Sequence, residues 1–500
     1  MAQHHQARIE FDPRFTVAEV PDRLFGSFVE HLGRCVYTGI YEPGHPTADA
    51  DGLRQDVLEL VRELGPTMIR YPGGNFVSGF RWEDSVGPKE ERPRRLDLAW
   101  GVTETNQFGL SEFMKFCRAT GVEPNMAVNL GTRGIEAALD LMEYANHPSG
   151  TALSDLRRSH GDEDPYGIKL WCLGNEMDGP WQVGQRTATE YGRIADQTAR
   201  AMRMIDSSLD LVACGSSSRG MPTFGEWEAE VLSNCYDSVD FISAHAYYHP
   251  GDGDIPSFMA SAQDMELFID GVIATADAVG AKLKSDKKIN ISFDEWNVWY
   301  QLEWEKSEHA KWVEAPRQLE DHYSAMDAVV FGSLLITLLR RADRVTAACL
   351  AQLVNVIGPI MTEPDGPAWR QTTFFPFAEA SKFGRGKVLR VNADSPGFAT
   401  DKYGEVSSLH SVAVANEDGS VTVFAVNRDL NTPMTLEVDA GLASIGSVTC
   451  STLTDEDPNA KNTLENQTRV TPVENQTVAV EGGKITVELP AMSWNTIRIA

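Results

Sequence analysis

Between about residues 20 and 380 the chain alternates short apolar runs with segments whose apolar residues recur at helical spacing. This alternation constrains the fold more than any other feature. One cycle shows it. Leu53, Val57, Leu60, Val61 and Leu64 share a helical face, Gly65 and Pro66 stop the helix, and TMIRY (67–71) follows as a strand. Leu110, Phe113, Met114 and Cys117 form the next stripe, which ends at Gly121 and leads into NMAVNL (125–130). Tyr191, Ile194, Ala195, Met202 and Ile205 lead into LVACG (211–215). Further strands read as LFGSFVE (24–30), IKLWCL (168–173), VDFISAH (239–245), INISFDE (289–295) and RVTAACLAQ (344–352). Strands separated by helices imply a parallel sheet with right-handed crossovers. Eight of them fit a closed barrel. An open doubly wound sheet shares the pattern, but no Gly-x-Gly-x-x-Gly opens a helix after a strand and there is no Walker loop. The expected fold is α/β, a (β/α)8 TIM barrel over residues 20–383.

Past about residue 385 the texture changes. HSVAVAN (410–416), SVTVFAVN (420–427), TLEVDA (435–440), KITVELP (484–490) and TIRIA (496–500) alternate at period two between Asp, Asn and Gly turns. Residues 384–500 are expected to form an antiparallel β-sandwich. ARIEFDPRF, within residues 1–19, is expected to add a strand to it, and the polar stretch DEDPNAKNTLENQT (455–468) to be a surface loop.

Charge and cysteine usage exclude several functions. Lys and Arg total 44 against 72 Asp and Glu, a net charge of −28. Such a surface repels phosphate backbones and anionic lipids, so neither nucleic acid nor membrane is expected as a partner. Seven cysteines without a CxxC pair suit a reducing compartment, with the thiols, Cys35 included, as core packing. The N-terminus has no apolar signal core, and no apolar run approaches a membrane span. A soluble cytoplasmic location is expected.

In a (β/α)8 barrel, chemistry sits where strands end, at the C-terminal face. The strand ends here read Glu30-His31, Arg70-Tyr71-Pro72-Gly73-Gly74-Asn75, Gly174-Asn175-Glu176, His245-Ala246-Tyr247, Asp294-Glu295-Trp296-Asn297 and Gln352. A single polar strand end is usually a cap or a salt bridge; so many on one face point to a site. Ile289, Ile291, Phe293 and Glu295 share one parity, so Glu295 is expected to continue an apolar face. Gly174 lets the chain turn sharply before Glu176. Strands four and seven face each other across an eight-membered ring, and two facing carboxylates are what a glycosidase requires. His245 and His249 have a zinc-like spacing, but four extended residues span roughly 13 Å, too far for one ion. No metal and no cofactor is expected. Trp82, Trp100, Trp296, Trp299 and Trp312 lie in or near the upper loops, where aromatic faces pack against sugar C–H groups.

These segments resemble a known family. FGSFVEHLGRCVYTGIYEP (25–43), RYPGGNFVSGFRWEDSVGP (70–88), TNQFG (105–109), WCLGNEMDGPWQ (171–182), HAYYH (245–249), DEWNVWY (294–300) and MSWNTIRI (492–499) are similar, in the same order, to glycoside hydrolase family 51, mainly intracellular α-L-arabinofuranosidases. The resemblance implies Glu176 as acid/base and Glu295 as nucleophile. It implies that Glu30, Arg70, Asn75, Asn175, His245, Tyr247 and Gln352 line the furanose pocket or orient the carboxylates, with Trp100 and Trp299 near the leaving-group side. It further implies no cofactor, arabinofuranosyl oligosaccharides as substrate and a homo-oligomer, usually a hexamer. The reading is a retaining, exo-acting α-L-arabinofuranosidase releasing terminal arabinofuranose from arabinan- or arabinoxylan-derived oligosaccharides. Its rivals are another retaining barrel glycosidase acting on xylo- or gluco-oligosaccharides, a non-catalytic sugar-binding protein, and a metal-dependent barrel enzyme, which a chelator would inactivate. A retaining mechanism calls for carboxyl groups roughly 5–5.5 Å apart.

Overall fold

The eight strands expected from the alternation form a closed parallel barrel in chain order: Gly26–Phe28, Met68–Tyr71, Glu123–Val128, Leu170–Leu173, Asp210–Ala213, Phe241–Tyr248, Asn290–Val298 and Val345–Leu350. The eighth pairs with the first. They are barrel strands 1 to 8 below. The computed structural model describes residues 4–251 and 253–500. Helix Gln55–Leu64 shows why the pattern works. It buries Val57, Leu58, Leu60, Val61 and Leu64 and ends at Gly65 (φ 73°), whose N–H bonds the Val61 carbonyl. Inside the ring, Phe28, Met68, Ala127, Leu170, Val212, Phe241 and Cys349 form one apolar cluster. Outward residues such as Ile69, Trp171, Ile242 and Phe293 pack in a second cluster with the surrounding helices. The interior is filled, so polar chemistry is left to the upper rim.

The C-terminal part forms the expected sandwich; its ten strands follow one continuous hydrogen-bonded order, antiparallel but for one pair. Strand His5–Glu19 lies in its middle, antiparallel to Lys387–Asp394 and parallel to Met434–Asp439. No tight turn joins the N-terminal strand to Met434–Asp439, so nothing in the connectivity forces an antiparallel pair. Register shifts after Phe11 and Thr16 bend the N-terminal strand. Ala7, Ile9 and Phe11 enter the sandwich core with Val423, Leu436, Ile485 and Ile497.

The junction with the barrel is polar as well as apolar. Glu379, on helix Phe374–Phe383, accepts hydrogen bonds from Ser451 Oγ, Trp494 Nε1 and Thr496 Oγ1, each at 2.7 Å. The Trp494 ring lies so close to Gly332 of helix Ala325–Arg340 that a β-carbon there would sit 2.4 Å from it. Residues 455–468 are irregular, as expected, but not merely a surface loop. The Pro458 and Ala460 carbonyls accept the Met326 and Ala325 N–H groups, capping helix Ala325–Arg340. Among the described residues, no helix is long and apolar enough to cross a membrane.

Candidate active site

Glu295 reaches the barrel mouth by a route that simple alternation does not predict. Ile291 and Phe293 face outward, Phe293 meeting Phe268 of helix Ala262–Leu283 edge-on. Strand 7 then carries one extra residue: Ser292 pairs with Ser243, but Glu295 pairs with His245. The same slip appears against strand 8, between Phe293 opposite Ala348 and Trp296 opposite Leu350. This bulge breaks the parity that places Glu295 on the Phe293 face and turns both Asp294 and Glu295 inward. Glu295 Oε1 accepts from Arg70 Nη1 at 2.8 Å and Oε2 from the Tyr247 hydroxyl at 2.7 Å. Arg70 Nη2 also donates to Asn175 Oδ1 at 2.7 Å, and Asn175 Nδ2 donates to Asn75 Oδ1 at 3.2 Å.

At the end of strand 4 the backbone turns through two left-handed residues, Gly174 (φ 93°) and Glu176 (φ 44°). A non-glycine residue in that region carries backbone strain. The Glu176 side chain consequently enters the mouth. Its Oε1 lies 2.8 Å from His245 Nδ1, and its Oε2 accepts the Trp181 indole N–H at 2.7 Å. Gly179 makes room for that indole, because a β-carbon there would lie 2.5 Å from it. His245 Nε2 lies 2.9 Å from Asp294 Oδ1, and Nδ1 lies 3.5 Å from Glu295 Oε2. Burial opposes charge on this imidazole, but Glu295, Asp294 and Glu176 outweigh it and hold His245 well above its ordinary value. As an imidazolium it donates through both ring nitrogens. Burial likewise opposes ionisation of Asp294, yet Arg70 and His245 hold its carboxyl low. One carboxylate oxygen each of Glu176 and Glu295 and a ring nitrogen of His245 all lie within 4.8 Å of one another.

Glu30 forms the opposite wall. Its Oε1 accepts from Phe76 N at 2.9 Å and Trp100 Nε1 at 3.0 Å, and its Oε2 from Gln352 Nε2 at 3.0 Å. Burial pushes this carboxyl up to about 8; the Phe76 N–H pulls it back and the charge of Glu295 adds to the rise. Gly73 and Gly74 let the loop after strand 2 approach closely. A β-carbon on Gly73 would lie 2.4 Å from Glu30 Cγ, and one on Gly74 2.8 Å from Glu295 Oε1. Trp100 sits in the turn of the hairpin formed by Arg95–Asp97 and Val102–Glu104. Trp299 packs edge-on against Tyr247, with ring centroids 5.0 Å apart.

Glu30, Arg70, Asn75, Trp100, Asn175, Glu176, His245, Tyr247, Glu295, Trp299 and Gln352 are thus joined by contacts at one mouth. His31 is not among them. It lies between Glu104 and the Tyr71 hydroxyl, at 3.0 and 2.9 Å, and props the hairpin from below. Trp82 and Trp296 are buried against Tyr144 and Phe331 and face no site, because they pack outward into the helical layer. Trp312 is half exposed beside the hairpin, its N–H bonded to the Gly101 carbonyl. Cys35 is buried. His249 Nδ1 accepts the Gly251 N–H in a turn, remote from a ligand role with His245. Two further residues belong to the mouth, Asp294 and Trp181. Asp294 is concealed by its neighbour, since alternation sends one of any adjacent pair outward. Trp181 is signalled only by the Gly-Pro-Trp turn after Glu176. Glu176, His245 and Glu295 have the donor types of a metal site, but their donors are engaged with one another and with Arg70, Asp294, Tyr247 and Trp181.

A closed parallel barrel with two carboxylates facing each other at its C-terminal mouth defines the chain as a barrel glycoside hydrolase. Family models of the α-L-arabinofuranosidase 1 domain and the α-L-arabinofuranosidase C-terminal domain match residues 60–264 and 294–493. The chain belongs to glycoside hydrolase family 51, the α-L-arabinofuranosidases. It is 66% identical to an intracellular exo-α-(1→5)-L-arabinofuranosidase of Streptomyces lividans over 99% of this chain and 75% of that one. An exo-α-(1→6)-L-arabinofuranosidase of Bifidobacterium longum is 57% identical over 99% and 97%. A solved family 51 α-L-arabinofuranosidase of Bifidobacterium longum superposes with a TM-score of 0.95 at 49% identity, covering 100% of both chains.

Proposed function

We propose that the chain removes terminal α-L-arabinofuranosyl groups from arabinan- and arabinoxylan-derived oligosaccharides by double displacement, with Glu295 as nucleophile and Glu176 as acid/base. The observation that carries the reading is the approach of the two carboxylates to within 4.8 Å. That is close to the separation of roughly 5–5.5 Å in retaining enzymes and well short of the roughly 6.5–9.5 Å that leaves room for an inverting water. Arg70 and Tyr247 donate to different oxygens of Glu295, which orients it for attack. Glu176 protonates the departing oxygen while the bond from Glu295 to the anomeric carbon forms. In the covalent intermediate Glu295 is an ester. Glu176 then takes a proton from water, which displaces the ester from the sugar's other face and releases arabinose with its configuration kept. His245, charged and adjacent to both carboxylates, orients Glu176 through Nδ1. Asn175, held by Arg70, faces the sugar 2-hydroxyl, a contact that strengthens as charge grows at the anomeric carbon. Glu30, Asn75 and Gln352 bind the remaining hydroxyls, and Trp100 and Trp299 border the leaving-group side.

An intracellular site of action and assembly into a homo-oligomer, a hexamer by family resemblance, are part of the same proposal. The word intracellular in the Streptomyces lividans relative's name supports the first; light scattering tests the second. The decisive experiment on the chemistry is Glu295→Ala with azide. Turnover should vanish while substrate still binds, and azide should restore reaction with inverted configuration, entering from the face the carboxylate leaves. Near-normal hydrolysis by the variant would remove Glu295 from the role of nucleophile. A panel of aryl arabinofuranosides and pyranosides fixes the sugar preference.

A further inference from the structure

A cavity of 520 Å³ lies between the barrel and the sandwich and shares no residue with the catalytic mouth. Barrel helices Ala262–Leu283 and Ala325–Arg340 contribute Glu266 and Arg340, with Arg341 one residue beyond. The sandwich contributes Arg390, His410 and Arg428. In a chain of net charge −28, four arginines line this one cavity, and Glu266 is the sole carboxylate among the described lining residues.

Two of the arginines are matched. Arg340 Nη1 lies 3.2 Å from Glu266 Oε1, and Arg341 Nη1 lies 2.6 Å from Asp270 Oδ1. The other two are not. Arg428 is 3% exposed; one nitrogen bonds the Ser407 carbonyl, while Nε and Nη1 have no hydrogen-bond partner among the described residues. Arg390 is exposed at the cavity and has no ion pair among the described residues. His410, 4% exposed, has both ring nitrogens without hydrogen-bond partners, the nearest carboxylate oxygen being Glu266 Oε1 at 3.6 Å. Burial holds Arg428 down to about 10, the mark of a guanidinium with too little counter-charge, and His410 down to about 4, so that its imidazole is neutral near pH 7 and offers one N–H donor. A buried guanidinium with free N–H groups is strongly unfavourable, and its planar fork matches an anion with several oxygens. The volume lies within the range of small-molecule sites and exceeds what one bare ion fills.

We propose that this cavity binds a phosphate group, free or carried on a small metabolite, between Arg428, Arg390 and His410. All three lie on the sandwich, and a bound group there stabilises the folded chain by mass action.

The test is titration calorimetry and thermal unfolding of the full chain with inorganic phosphate, ribose 5-phosphate and ribose, at an ionic strength held constant with chloride. Arg390→Ala changes an exposed residue outside the catalytic mouth, and Arg428→Gln is the second variant. Saturable binding of a phosphate probe is expected, with no binding of ribose. The unfolding midpoint should rise by about 2–4 °C at saturation. Arg390→Ala should lose at least about tenfold in affinity with hydrolysis of an aryl arabinofuranoside unchanged. Tighter binding of the ester identifies a phosphorylated metabolite as the source; equal or tighter binding of inorganic phosphate identifies the free ion. No saturable binding to the natural chain, or undiminished affinity in Arg390→Ala and in folded Arg428→Gln, overturns the proposal.

Discussion

Replacing Glu30 by glutamine should stabilise the protein at alkaline pH while weakening its hold on sugar, and the size of the first effect follows from the site. Burial, offset in part by the Phe76 N–H and reinforced by Glu295, holds this carboxyl at about 8 against an ordinary 4.5. The folded chain therefore keeps the proton over a range in which the unfolded chain has released it. Where the native state binds more protons, stability falls as pH rises. The loss begins near pH 4.5 and is complete above about pH 8. At 1.36 kcal/mol per pH unit, the displacement corresponds to about 5 kcal/mol. A neutral amide abolishes the term. The exchange is also sterically mild. The new carbonyl oxygen keeps the Phe76 and Trp100 donors, and the new N–H finds Gln352 Oε1, which has no hydrogen-bond partner among the described residues, once the Gln352 amide turns over. Urea unfolding of both proteins from pH 5 to pH 9 is the assay. The two stability curves should run together near pH 5 and separate by about 3–5 kcal/mol at pH 9, the variant being the more stable. Parallel curves across the range would refute the reasoning, because the carboxyl would then carry no differential proton.

Glu176→Ala should cost natural arabinosides about 10²- to 10⁴-fold in rate while leaving release of dinitrophenolate fast. Stopped flow should then show a phenol burst followed by a slow phase that azide accelerates with retained configuration; equal losses for good and poor leaving groups would contradict the assignment. Asp294→Asn removes the carboxylate on His245 Nε2, so the imidazolium loses a counter-charge and its proton is released at lower pH. Loss of this charge-assisted bond should lower kcat/KM by about 10- to 100-fold at neutral pH, with partial recovery on acidification that the natural enzyme does not show. Trp181→Phe, which removes the N–H on Glu176 Oε2 from a half-exposed position, should cost about tenfold or less, and more for poor than for activated leaving groups.

The barrel is legible in the sequence because the strand–helix units repeat the same apolar pattern, two of the helices being closed by glycine at Gly65 and Gly121. The carboxylates are legible because polar residues at strand ends have nowhere to go but the rim. Alternation alone gives a wrong account of how Glu295 gets there. It assumes one residue per step, and the bulge at Asp294 adds a residue whose presence depends on pairing with strands 6 and 8. The same blindness conceals Asp294 itself. The parallel pairing of the N-terminal strand is invisible for a related reason: it is decided by a partner more than 400 positions away. The arginine-lined cavity is also beyond local pattern, since its lining comes from separate helices and strands.

The place of that N-terminal strand has a consequence in time. It is made before the whole barrel, yet its neighbours in the sheet, Lys387–Asp394 and Met434–Asp439, are made after it. At roughly 5–20 residues per second, a ribosome needs about 20–80 s to travel from Glu19 to Met434. Throughout that interval Ile9 and Phe11 have no core to enter, and both edges of the strand lack their final hydrogen-bonding partners. The barrel has every strand it needs once Leu350 clears the exit tunnel, while the sandwich must wait for Ser493–Ile499. The segment is thus the natural client for a chaperone acting on the nascent chain, and it stays accessible until its two neighbouring strands emerge.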